Sequence, residues 1–155
     1  ALYVADTGMS RVVIFSASGE IIGKIEREGE ATGQFREPVD VLIDSSGNIF
    51  VADAVNSRLS RLDSAWNHLT DWPLPLAVSL RGAHIATGGD GTIWVTDPSG
   101  RVAVRYGIDG QPLEQLGGTG RLVKPVGIAI DQAGNIYIAD AEHHSVIKFG
   151  VAPGQ

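Results

Sequence analysis

Four pentapeptides in this chain follow one formula: aliphatic, aromatic, β-branched aliphatic, small residue, Asp. They are Leu2-Tyr3-Val4-Ala5-Asp6, Ile49-Phe50-Val51-Ala52-Asp53, Ile93-Trp94-Val95-Thr96-Asp97 and Ile136-Tyr137-Ile138-Ala139-Asp140. By subtraction, the Asp positions are 47, 44 and 43 residues apart. A period of this length accommodates one four-stranded antiparallel sheet with its turns. Helical repeats of similar length would show a 3.6-residue apolar period, which is missing here.

Two copies carry a further strand and a tight turn ahead of the formula. Val39 to Asp44 leads through Ser45-Ser46-Gly47-Asn48 into Ile49, and Val126 to Asp131 leads through Gln132-Ala133-Gly134-Asn135 into Ile136. Gly-Asn supplies the positive-φ residues that a hairpin turn requires. A third version, Ala83 to Thr87 followed by Gly88-Gly89-Asp90-Gly91, is looser. After each Asp comes another strand: Arg11 to Phe15, Leu59 to Leu62, Val102 to Tyr106 and Val146 to Phe149. A weaker one follows three of these, at Ile21 to Ile25, Leu69 to Trp72 and Leu113 to Leu116, and its poor patterning suits a half-solvated edge. With strands labelled a to d within each repeat, the order is b-c-d, a-b-c-d, a-b-c-d, a-b-c. The expected fold is all-β, a single partial β-propeller over residues 1–155. Its blades lie at approximately 1–28, 39–72, 83–116 and 126–150. A six-bladed ring takes about twenty-four strands, so the remaining blades are expected from the parent chain or another subunit.

The formal net charge of -6 argues against a nucleic-acid partner, since phosphate binding relies on clustered Lys and Arg. The apolar runs are too short for a membrane span. With no cysteine, a disulfide framework and Cys-based metal sites are excluded.

The pattern Pro-x-Gly-Ile-Ala-x-Asp, then Gly-Asn-Ile-Tyr-Ile-Ala-Asp, resembles the NHL repeat. Residues 125–140 follow it almost throughout. Residues 38–62 follow it nearly as well, with Pro38, Gly47-Asn48, Val51-Ala52-Asp53 and Asn56-x-Arg58 in place. Residues 1–15 retain the second half. The third copy departs most, lacking the Pro-x-Gly opening and shortening the segment between Asp97 and Arg101. The resemblance implies a six-bladed propeller and leans toward an extracytoplasmic setting, with the compartment left open. Members of this look include protein- and RNA-binding propellers, receptor sensor domains, and lyases or lactonases with metals in the channel. Fold alone does not choose among them.

Asp6, Asp53, Asp97 and Asp140 recur with the repeat and are read as structural. Each is expected to accept turn amides and to pair with Arg11, Arg58 or Arg101. Functional candidates are sought where the repeat is broken. Asp40 stands where the twin strand has Gly127. His143-His144 replaces the Asn-x-Arg element after Asp140; adjacent imidazoles on extended chain point apart, which disfavours zinc. Arg81 and His84 lie in the irregular stretch from Trp72, where Pro73 and Pro75 resist pairing. Trp94 belongs to the core column of Tyr3, Phe50 and Tyr137, whereas Trp66 and Trp72 fall outside it and are candidate surface contacts. Gly117-Gly118-Thr119-Gly120 lacks the Lys-Ser/Thr of a nucleotide loop.

The b-c and d-a connections of a propeller emerge on one face. Residues 7–10, 54–57, 98–100 and 141–145 therefore share a face with loops 28–38, 73–82 and 117–125. The leading expectation is an interaction or sensor scaffold without a resident cofactor, binding protein or peptide there. Two alternatives stay open: a propeller lyase or lactonase using calcium or zinc, and a structural unit that completes a ring with other chains.

Overall fold

A computed structural model describes residues 1–74, 82–88, 90–118 and 120–150. Their strands are β1 (Leu2–Asp6), β2 (Arg11–Phe15), β3 (Ile21–Glu26), β4 (Pro38–Ile43), β5 (Ile49–Asp53), β6 (Arg58–Leu62), β7 (His68–Pro73), β8 (Ile85–Thr87), β9 (Ile93–Asp97), β10 (Val102–Tyr106), β11 (Pro112–Gly117), β12 (Pro125–Ile130), β13 (Ile136–Asp140) and β14 (Ser145–Phe149). They form four sheets in which chain neighbours pair antiparallel: β1-β2-β3, β4-β5-β6-β7, β8-β9-β10-β11 and β12-β13-β14. This is the expected blade pattern of a partial β-propeller, strand for strand. Among the described residues no helix is long and apolar enough to cross a membrane.

The chain divides into two compact units, the first carrying β1 to β7 and the second β8 to β14. In the first, Val12, Ile14 and Ile25 pack against Ile49, Val51 and Leu62 of the neighbouring sheet, with Phe35 from the connecting loop between them. In the second, Trp94 and Ala103 meet Ile138 and Phe149 around Leu122. Burying each large side chain contributes roughly 1.5–3 kcal/mol. β5 and β9 are buried along their whole length, while β3 and β11 are mostly exposed. Outer strands need no apolar alternation, which explains their weak patterning.

A bulge opens both complete a-b pairs. Pro38 faces Asp53 and Asp40 faces Ala52, so Val39 is the extra residue; Val126 is its counterpart between Pro125 and Gly127. Proline is tolerated there because it starts an edge strand. Beyond the hairpin, Asp44 takes the amides of Ser46 and Asn48 and the Asn48 side chain. Asp131 does the same with Ala133 and Asn135.

Asp63 builds an identical turn with Ala65 and Asn67 in the β6-β7 hairpin, with Trp66 at the position Gly47 holds in the a-b turn. Trp66 has φ +69°, a left-handed conformation rare for a bulky residue. Its ring covers Gly23, where an added Cβ would come within 2.2 Å of the indole, and the Arg27 guanidinium donates to its carbonyl at 2.6 Å. Trp72 is only 4% exposed and packs on Phe50 at a centroid separation of 5.6 Å. Both indoles thus serve packing within the first unit, which corrects their reading as surface contacts.

Candidate functional site

At the b-c end of the first unit, the repeated carboxylates organise the backbone. Asp53 is fully buried and accepts four hydrogen bonds. The amides of Arg36 and Glu37 reach it from the d-a loop at 2.8 and 3.1 Å. The amide and side chain of Asn56 reach it from its own turn at 3.2 and 2.9 Å. Asn56 also donates to the carbonyl of Gly29, and Ala54 donates its amide to Glu37. From the other side, Thr7 Oγ1 donates to the carbonyl of Pro38 at 2.7 Å and Ser10 Oγ to that of Arg36 at 2.8 Å. Loop 28–38 is therefore clamped between the two b-c turns. Asp6 pairs with Arg11 at 2.7 Å.

Arg58, in register with Arg11, does not pair with Asp53. Its guanidinium donates to the carbonyls of Ala31 and Gln34 and pairs with Asp71 at 3.1 Å. Asp53 is already saturated by amides, so the arginine turns outward to the loop. Asp71 also accepts Ser60 Oγ at 2.7 Å and the Gly33 amide at 3.3 Å, and lies 2.9 Å from His68 Nε2. Burial pushes the Asp71 carboxyl up, but the donors Ser60 and His68, the charge of Arg58 and the Gly33 amide outweigh it and hold the carboxyl below its ordinary value. This Ser-His-Asp set is not a nucleophile with its base: the carboxylate stands between hydroxyl and imidazole, and Ser60 is fully buried.

The second unit repeats the frame. Asp140 accepts the amides of Val123 (2.7 Å) and Lys124 (3.2 Å) from the d-a loop and those of Glu142 and His143 from its own turn. Burial raises its carboxyl, yet the amides of Val123, His143 and Lys124 and the nearby His143 prevail, leaving it below the usual carboxylate range. Asp97 takes the amides of Ser99 and Gly100. Arg101 does not occupy the place of Arg11 and Arg58. It is one residue closer to its Asp, and Val102 is the residue opposite Asp97 in the ladder. The fourth residue after each Asp is left-handed: Ser10, Ser57, Arg101 and His144 have φ of +52°, +49°, +60° and +50°. Arg101 therefore closes a turn, and the segment after Asp97 is not shortened: the fifth residue after each Asp faces it across the b-c turn in all four copies.

Of the proposed site residues, Asp40 lies half-buried at the β4 bulge and accepts the Val41 amide. His84 is exposed just before β8, its backbone bonded to Thr96. His143 takes the place of Asn56, with Nδ1 3.5 Å from Asp140, and His144 is the exposed left-handed turn residue beside it. Arg81 lies outside the described residues. Asp40 belongs to the first unit and the three histidines to the second. Among the described residues no group of three or more His, Asp or Glu side chains converges as a metal site.

Sequence reasoning missed the fully buried Phe35 and Leu122, which anchor the two described d-a loops. A shared Gly-x-apolar-x-x-Pro, Gly33 to Pro38 and Gly120 to Pro125, was the available signal. The glycines are left-handed, at φ +73° and +84°.

Residues 122–149 match the NHL repeat model. Virginiamycin B lyase from Staphylococcus aureus superposes with a TM-score of 0.72 at 14% identity, over 97% of this chain and 52% of that one. A streptogramin B lyase gives 0.73 at 15%, over 96% and 50%. A protein of unknown function from Bacteroides caccae gives 0.67 at 16%, over 90% and 55%. The chain spans about half the length of these structures. The fold is that of a partial β-propeller, and residues 122–149 are similar to the NHL repeat.

Proposed function

We propose that the chain is part of an interaction scaffold whose b-c turns and d-a loops present a surface to a protein or peptide. One observation carries this reading. The third residue after each repeated Asp is Met9, Asn56, Gly100 or His143, so a turn that closes on a left-handed residue in all four copies carries a different residue near its tip, exposed as Met9 and His143 and tied into the loop as Asn56. Rigid frames with variable tips suit recognition, because little ordering is needed on binding. Exposed Met9 and Val55 add apolar contact area. The test is selection of peptides from a displayed library against the purified chain. Peptides held by the first unit are expected to bind the Met9→Ser and Val55→Ser variants more weakly, and peptides held by the second unit the Lys124→Ser variant, while both retain affinity for the hairpin variants Ser45→Ala and Gln132→Ala. Loss confined to the hairpin variants would overturn the reading.

A second reading, lyase action by the completed protein, is favoured by the structural likeness to virginiamycin B lyase. The described residues do not assemble a metal site, so a metal would need ligands from elsewhere in the parent protein. Virginiamycin B left unchanged by the parent protein, followed by mass spectrometry, removes this reading.

A further inference from the structure

Exposed carboxylates are sorted by end in the second unit, where Arg105 and Lys148 accompany the acids toward the hairpins. Exposed Arg101, Arg121, Lys124, His143 and His144 all lie on its b-c turns and d-a loop. Backbone bonds hold them together: the Gly118 amide donates to the Arg101 carbonyl at 3.3 Å, that of Ala141 to the Lys124 carbonyl at 2.9 Å, and those of Lys124 and His143 to Asp140. Asp97 and Asp140 are buried there under turn amides, leaving Glu142 as the exposed carboxylate among the described residues of that end. Asp90, Asp109 and Asp131 stand in the hairpins at the opposite end, and Glu114 lies along β11 with Arg105.

We infer that the loop end of the second unit binds an acidic peptide segment. This rests on the interaction-scaffold reading and specifies the partner for one part of that surface. The Arg121 guanidinium lies over the Phe149 ring, 4.8 Å from its centroid, a contact that restricts it in advance of binding a carboxylate. The cations are spread over two turns and a loop, which suits side chains along an extended peptide better than one compact anion. A single-stranded nucleic acid would want exposed rings to stack on. Here Trp94, Tyr106 and Phe149 are buried, and the Tyr137 hydroxyl is held by Asp131 at the hairpin end.

The probe is a fluorescein-labelled peptide of alternating Glu and Asp, titrated by anisotropy with the 155-residue chain. Binding should weaken as salt rises, because the contacts are exposed charges. An Arg121→Gln/Lys124→Glu double variant is expected to lose about tenfold in affinity, and Gln132→Ala in the β12-β13 hairpin to stay within about twofold. Lys124→Glu alone, whose side chain supports no packing, should weaken binding in the same direction and covers the case in which loss of Arg121 disturbs folding. Equal binding by wild type and variants overturns the inference, as does a single-stranded RNA oligomer that binds more tightly and displaces the peptide. If the acidic peptide fails to bind while library-selected neutral peptides remain sensitive to the loop-end variants, the inference fails and the scaffold reading stands.

Discussion

The two described d-a loops solve one problem at different lengths. Residues 27–37 join β3 to β4, and the shorter run 118–124 joins β11 to β12. Both end in Gly-x-apolar-x-x-Pro, both bury the apolar residue completely, and both offer two successive amides to the Asp that closes the next b strand. The longer loop uses its additional residues to fold on itself, with the Gly29 amide donating to the Phe35 carbonyl and the Ala31 amide donating to the Gln34 side-chain oxygen. Arg58 and Asn56 hold it from β6 and its preceding turn. Its exposed charges are mixed, Glu28, Glu30 and Arg36, whereas the shorter loop shows Arg121 and Lys124. What the two share is architecture, and what separates them is length and the charge that each exposes.

If the buried apolar residue anchors each loop, its removal should have the largest effect. Phe35→Ala is expected to cost about 3–5 kcal/mol and Leu122→Ala about 2–5 kcal/mol in denaturant-induced unfolding. A loss below about 1 kcal/mol at either position would show that the loop is held by its polar contacts instead.

The carboxylates come next. Asp140→Asn leaves amides of loop and turn poorly matched and should cost about 1–3 kcal/mol, and Asp53→Asn a similar amount. Asp6→Asn, which breaks a partly exposed pair with Arg11, should cost about 1 kcal/mol or less. The acid limb follows from the same geometry. Asp140 and Asp71 are held below the ordinary carboxyl value, so their contribution is present above that value and is lost as the pH falls through their depressed folded values. Unfolding midpoints should therefore drop on acidification below about pH 4, and Asp140→Asn should flatten that drop. An unchanged slope in the variant would assign the acid sensitivity to other carboxylates.

Much of this frame was readable in advance because strands and hairpin turns leave local signatures. The short apolar runs around Phe50 or Tyr137, Gly-Asn at residues 47–48 and 134–135, and the Asp that ends each second strand all act within a few residues. Contacts between neighbouring sheets leave weaker traces. Trp66 sits where a turn asks for glycine, and only the cavity over Gly23 explains the exchange. Asp71 gathers Ser60, His68, Arg58 and Gly33 from separated parts of the chain, a grouping no spacing rule exposes. Arg58 shows how composition misleads: its position predicts a partner on the adjacent strand, but the amides of Arg36 and Glu37 reach that partner first. The site candidates were chosen as departures from the repeat, and the turn geometry gives two of them a backbone reason. His143 and His144 occupy the hydrogen-bonding and left-handed positions of a turn that exists in all four copies.

The smallest effect separates those two kinds of position. Left-handed backbone costs a non-glycine residue about 1–2 kcal/mol, whereas glycine adopts it freely but loses more entropy on folding. Arg101→Gly and His144→Gly should therefore change stability by a few tenths of a kcal/mol in the favourable direction. Arg101→Val should cost about 1 kcal/mol or more, since a β-branched residue is least at ease there. Were Arg101 instead the equivalent of Arg11, glycine would break a carboxylate pair and valine would suit the strand, reversing the order. Thermal denaturation of the two Arg101 variants side by side thus reads the register of the third repeat directly.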